Sequence, residues 1–132
     1  MVQIPAHPIE DARRYIDNAR TLLSEKAGKD GDFYQDRKYI RMAGNTMYNG
    51  ILVALDALLG KKTRGRKSVE WYQEQLGRID RKALTHFNAL YETVHLVLGY
   101  DGNTVVSISR DAIRMSHTFI DWVEGKLNVV TR

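Results

Sequence analysis

Arg110, Arg114 and His117 stand at positions i, i+4 and i+7 of a segment whose apolar residues recur with helical spacing. Seven residues on a helix return nearly to the same face, with a rise of roughly 10 Å. An arginine so placed can hold a phosphate through charge-assisted hydrogen bonds, while the imidazole works as acid or base beside it. The same residues also suit an ordinary solvated helix face, and the spacing alone does not separate the two readings.

Glu92-Thr93-Val94-His95 is a second chemical pattern, a Glu-x-x-His whose side chains share one helix face. A carboxylate-bridged di-metal bundle needs two such pairs and two more glutamates. This chain has one pair and no cysteine. We therefore expect no metal and no cofactor, with His95 a part-buried structural histidine that pairs with Glu92. Asp30-Gly31-Asp32 lacks the spaced oxygen ligands of a calcium loop and reads as a hydrated turn. No glycine-rich phosphate loop and no serine nucleophile pattern is present.

Charge is concentrated in one place. Lys61, Lys62, Arg64, Arg66 and Lys67 all fall between Gly60 and Lys67, and they account for the net charge of +4. The remainder of the chain is close to neutral. The cluster directly follows a helix end, where positive charge complements the helix dipole. One or two residues suffice for that. The excess predicts weak, sequence-independent binding of RNA or another polyanion through the 60–67 loop, against the competing reading of a solvated interhelical loop.

The elements that must position these groups are helices. Pro5 and Pro8 precede the first periodic segment, and no proline follows. The apolar spacing predicts helices over about 8–26, 33–59 and 69–98, and a last one from near Thr104. Gly77 and Asp80 predict a kink or short break in the third. Connections of about six to eight residues favour antiparallel neighbours. The expected fold is all-α, an antiparallel four-helix bundle without a sheet, and Thr104–Ile108 is the one stretch with competing alternation. The length of 132 residues suits a single domain over 1–132. The longest apolar run, Ile51 to Leu59, contains Asp56 and is too short for a bilayer. Without cysteine or a secretory leader, a cytoplasmic location is expected.

Tyr39 to Leu59, with its small residues and a tyrosine before an Ala/Leu-rich end, resembles the second helix of HEPN domains (higher eukaryotes and prokaryotes nucleotide-binding). The order of four helices and the amphipathic Ile108–Leu127 are similar to that superfamily as well. Many of its members are ribonucleases or inert relatives of them, often dimeric. Their motif is an arginine, four to six residues, then a histidine. Arg110 to His117 has six intervening residues with the acidic Asp111 after the arginine, and Arg81 to His86 has four. The resemblance thus implies Arg110, Asp111 and His117 as catalytic candidates. Departures are the position of His117 well inside the last helix, and Thr118-Phe119 where the family often has a tyrosine.

Two functional readings follow. The leading one is a non-enzymatic interaction protein, HEPN-like and homodimeric, that binds a protein or nucleic acid. The alternative is a metal-independent, toxin-like ribonuclease using Arg110 and His117. The homodimer is expected because Tyr34, Tyr48, Tyr72, Met115 and Trp122 lie outside the main apolar stripes.

Overall fold

Pro8 occupies the first turn of α1 (Pro8–Thr21), where its missing N–H has no partner to lose, and Glu10 and Asp11 sit at the positive end of the helix. The last turn widens into a π-helical stretch, Leu22–Lys26, so the helical run covers the span expected from periodicity. The computed structural model describes residues 7–60 and 67–130.

The second helix starts later than its apolar pattern predicts. Lys29–Asp30 (β1) and Phe33–Tyr34 (β2) pair antiparallel, around a turn in which Gly31 adopts a φ of 62°. This small ribbon corrects the expectation of no sheet. It persists because the far end of the chain completes it. The Tyr34 N–H donates to the Thr104 carbonyl at 2.8 Å, the Val106 N–H to the Asp32 carbonyl at 2.9 Å, and Phe33 bridges Val105. Helix α2 (Arg37–Leu59) then begins at Asp36, whose carboxylate accepts the Lys38 N–H at 3.0 Å.

Ser68 caps α3 (Val69–Ile79) by accepting the Trp71 N–H at 3.1 Å. The expected break then appears, dividing the third predicted helix in two. Asp80 is extended and caps α4 (Arg81–Leu90), accepting N–H groups of Lys82 and Ala83 at 2.8 and 3.3 Å. Those N–H groups, Ala83 first, hold its carboxyl below the usual range. From Leu90 the helix continues as a π-helical segment, Tyr91–Tyr100. The last helix is α5 (Val106–Val130). Five α-helices thus make up most of the described chain. None of them is long and apolar enough to cross a membrane.

Side-chain pairs give the helix directions. Arg13 of α1 meets Asp121 of α5, and Arg20, further along α1, shares a cleft with Arg110 and His117, so the two run antiparallel. Arg37, Arg41 and Asn45 of α2 donate to the carbonyls of Asp101, Tyr100 and Gly99, so α2 runs antiparallel to the π-helical segment. Between the helices lie Ile16, Ile40, Met47, Ile51, Leu55 and Phe119, all essentially without solvent contact. Each such side chain contributes about 1.5–3 kcal/mol of burial. Phe87 is buried between the rings of Tyr72 and Phe119, at centroid distances of 6.1 and 6.2 Å.

Backbones approach most closely where Gly44 of α2 faces Gly99. A Cβ on Gly44 would lie 2.7 Å from the Gly99 Cα and 2.8 Å from the Leu98 carbonyl carbon. Two serines complete the interior of α5. Ser116 donates to the Ala112 carbonyl at 2.7 Å, and Ser109 to the Val106 carbonyl at 2.8 Å, so neither hydroxyl is left unsatisfied.

Candidate functional site

The α1/α5 pair has two unlike ends. At one end Arg13 is neutralised by Asp121 at 2.6 Å and Glu124 at 3.4 Å. Toward the other end lies an open cleft of about 530 Å³ lined by Arg20, Arg110, Ile113, Arg114, His117 and Thr118. No aspartate or glutamate lines it. Arg114 reaches Asp111 at 2.9 Å, whereas Arg20 and Arg110 have no carboxylate within ion-pair distance among the described residues.

His117 is half-covered on the cleft wall. Its pKa is lowered, first by burial and then by the nearby Arg13 and Arg20; Asp17 and Asp121 oppose the shift. The ring is therefore neutral at pH 7, able to accept one hydrogen bond and donate another. Fixed positive charge comes from the arginines. The cleft can hold an anion, and a proton acceptor stands beside that anion.

The structure thus brings together Arg110, Arg114 and His117, as their helical spacing predicts. It adds Arg20, which nothing in the local sequence marks; only the antiparallel pairing of α1 with α5 delivers it. Asp111 does not line the cleft and engages Arg114 instead. Arg81 and His86 part company. His86 lines a hollow of about 140 Å³ with Arg114, Met115 and Thr118, and Arg81 is absent from it.

Of the five residues of the cationic loop, Lys61, Lys62, Arg64 and Arg66 lie outside the described residues. Lys67 turns back on the end of α2, donating to the Gly60 carbonyl at 2.7 Å and to Asp56 at 2.9 Å, with its ammonium over the Trp71 ring. The Tyr72 hydroxyl donates to the same Asp56 oxygen at 2.7 Å, and burial followed by this bond pushes the phenol pKa well up. Lys67 thereby meets the negative end of the α2 dipole and ties α2 to α3.

His95 is not paired with Glu92. Glu92 is exposed, and the imidazole stacks on Tyr48 at 4.5 Å and lies 5.2 Å from Tyr91, with its Nδ1 buried and unpartnered among the described residues. Burial, then Tyr91, pushes the Tyr48 hydroxyl up to about 12. No group of three metal-ligating side chains occurs among the described residues.

The apolar residues outside the sequence stripes are also placed differently from expectation. Tyr34 and Tyr72 are buried, and Tyr48, Met115 and Trp122 pack against the chain's own core. Tyr34 is drawn in because its hydroxyl finds Ser109 at 2.6 Å. The large apolar side chains left exposed are others, among them Met42, Leu96 and Tyr100.

No curated protein matches this chain. Among solved structures, it is similar to a protein of unknown function from Dyadobacter fermentans, at 44% identity over 91% of this chain and 96% of that one, with a TM-score of 0.88. The sequence match and the shared fold agree in extent, and the chain belongs to the family described as domain of unknown function (DUF5618), which it matches over residues 7–125.

Proposed function

We propose that this protein is a non-enzymatic binding protein that holds a phosphate-rich chain, RNA first, in the α1/α5 cleft. The observation that carries the reading is the convergence of Arg20 and Arg110, neither of them ion-paired among the described residues, with Arg114, which Asp111 partly neutralises, on one cleft that no carboxylate lines. Unneutralised cations on one face are the electrostatic signature of phosphate contact. We further infer a HEPN-like four-helix bundle, with α1, α2, α4 plus its π-helical segment, and α5 as the four members and α3 as an addition. The antiparallel neighbours described above support it.

The test is fluorescence anisotropy with a short single-stranded RNA between 50 and 200 mM salt. Three neutralised phosphates give a slope of about −2 in log affinity against log salt, a loss of roughly 20-fold over that range. Absence of binding at 50 mM, or affinity indifferent to salt, would overturn the proposal.

A second reading rests on Arg110 and His117 sharing the cleft. A neutral His117 can act as general base toward a ribose hydroxyl, with Arg110 on the phosphate. Asp111 is engaged by Arg114 and no carboxylate lines the cleft, which favours binding without cleavage. RNA cleaved in the presence of a chelator by the wild type, and left intact by His117→Ala, would decide for the ribonuclease.

A homodimer is part of the proposal. Tyr100 is 77% exposed, and Met42 and Leu96 are exposed on the same pair of neighbouring segments, α2 and the π-helical stretch. We expect sedimentation at tens of micromolar to give twice the chain mass, and Tyr100→Asp to lower it. A monomeric mass for the wild type removes the dimer from the reading.

A further inference from the structure

Beyond Arg110, the cleft continues into a smaller hollow of about 110 Å³ at the junction of α1, the β-hairpin and α5. Its charged lining is Arg20, Lys29 and Arg110, one cation from each of those elements, and no carboxylate lines it. Lys29, like Arg20 and Arg110, has no ion-pair partner among the described residues. We propose that this hollow is a pocket for a phosphomonoester dianion, which on the RNA reading above is the terminal phosphate of the bound chain.

The hairpin holds Lys29 at this point. Lys29 pairs across it with Tyr34, and Tyr34 is fastened twice, by its N–H to the Thr104 carbonyl just before α5 at 2.8 Å and by its hydroxyl to Ser109 of α5 at 2.6 Å. Tyr34 and Ser109 are 7% and 1% exposed and line the hollow beneath the cations. Ser109 spends its hydrogen on the Val106 carbonyl, so Tyr34 must donate to Ser109. Neither hydroxyl then offers a free hydrogen, and Ser24, which also lines the hollow, donates to the Thr21 carbonyl at 3.4 Å, so the cations are left to meet a ligand.

Charge selects the ligand. A phosphomonoester carries about −1.5 to −2 charges at pH 7, whereas each internal diester carries one. Three cations around one small hollow suit the former. The open cleft, with Arg114 and His117, suits the latter, and the two share Arg20, Arg110 and Ile113. A chain bound with its terminal phosphate beside Lys29 would run along α5 toward Thr118. Binding would then be anchored at one end of the nucleic acid.

The experiment compares a single-stranded RNA carrying a 5′-phosphate, a 3′-phosphate or hydroxyls at both ends, with inorganic phosphate and poly-glutamate as competitors. One phosphorylated form is expected to bind about tenfold tighter than the hydroxyl-ended RNA, the size of one added charge-assisted contact. Lys29→Gln should bring that ratio to about one, and Lys29→Arg should restore it. Equal affinity of the wild type for all three RNAs, or a preference that survives Lys29→Gln, would overturn the pocket while leaving RNA binding in the cleft standing. Failure of every RNA to bind, with inorganic phosphate still bound in a Lys29-dependent manner, would remove the RNA reading and keep the pocket. Poly-glutamate competing as well as the phosphorylated RNA would overturn the phosphate assignment.

Discussion

Arg20→Glu, Arg110→Glu and Arg114→Glu introduced together should lower RNA affinity at least about 100-fold at 50 mM salt and flatten its salt dependence. The three side chains are exposed, so no core contact is lost, and surface changes of this kind alter stability by about 0.5 kcal/mol or less each. The effect arises because each arginine held near a phosphate releases a condensed counterion, and reversal both removes that gain and adds repulsion. It should shrink as salt rises, since the wild type itself weakens. The control is the other end of the same helix pair. Arg13 is held by two carboxylates, Asp121 and Glu124, and lines neither hollow, so Arg13→Glu should cost far less affinity. A triple variant with wild-type affinity and slope places the RNA elsewhere, the 60–67 loop being the next surface to test. Unchanged melting temperature is the check that the triple variant is folded.

The second large effect concerns the fold. Gly44→Ala should destabilise the protein by about 2 kcal/mol or more, lowering the melting temperature by roughly 8 °C for a chain of this size. In an open helix the same change is favourable by about 1 kcal/mol. Here the added Cβ meets the backbone of Gly99 and Leu98, and backbone cannot rotate aside as a side chain can. Relief requires α2 and the π-helical segment to separate. That separation strains the Arg41–Tyr100 and Asn45–Gly99 hydrogen bonds and the stacking of Tyr48 on His95. Gly125→Ala supplies the opposite sign. It lies within α5 with nothing within 4 Å of its added Cβ, and it should stabilise by about 0.5–1 kcal/mol. Urea melts of the two variants beside the wild type decide the matter, and equal, small shifts of one sign would show that the Gly44 contact is not a tight one.

The helical spans were legible from the chain where their causes are local. Pro8 and the acidic first turn open α1, Gly60 ends α2, Ser68 caps α3, and Asp80 breaks the third run, each within a few residues of the effect. Helical spacing likewise placed Arg110, Arg114 and His117 together, since i, i+4 and i+7 share a face wherever the helix goes. What escaped has long-range causes. The hairpin at Lys29–Tyr34 reads locally as a loop leading into a helix at Phe33, because its hydrogen-bond partners, Thr104 and Val106, lie about 70 residues away. Tyr34 looked like an interface residue because Ser109 was not yet beside it. His95 was expected to pair with Glu92, three residues back on its own helix, and instead stacks on Tyr48 of α2. Arg20 and Lys29 carried no signal at all as isolated surface cations. They become a site only where α1 and the hairpin are laid against α5, because like charges bind an anion when packing holds them around one hollow, and packing is a property of the folded chain.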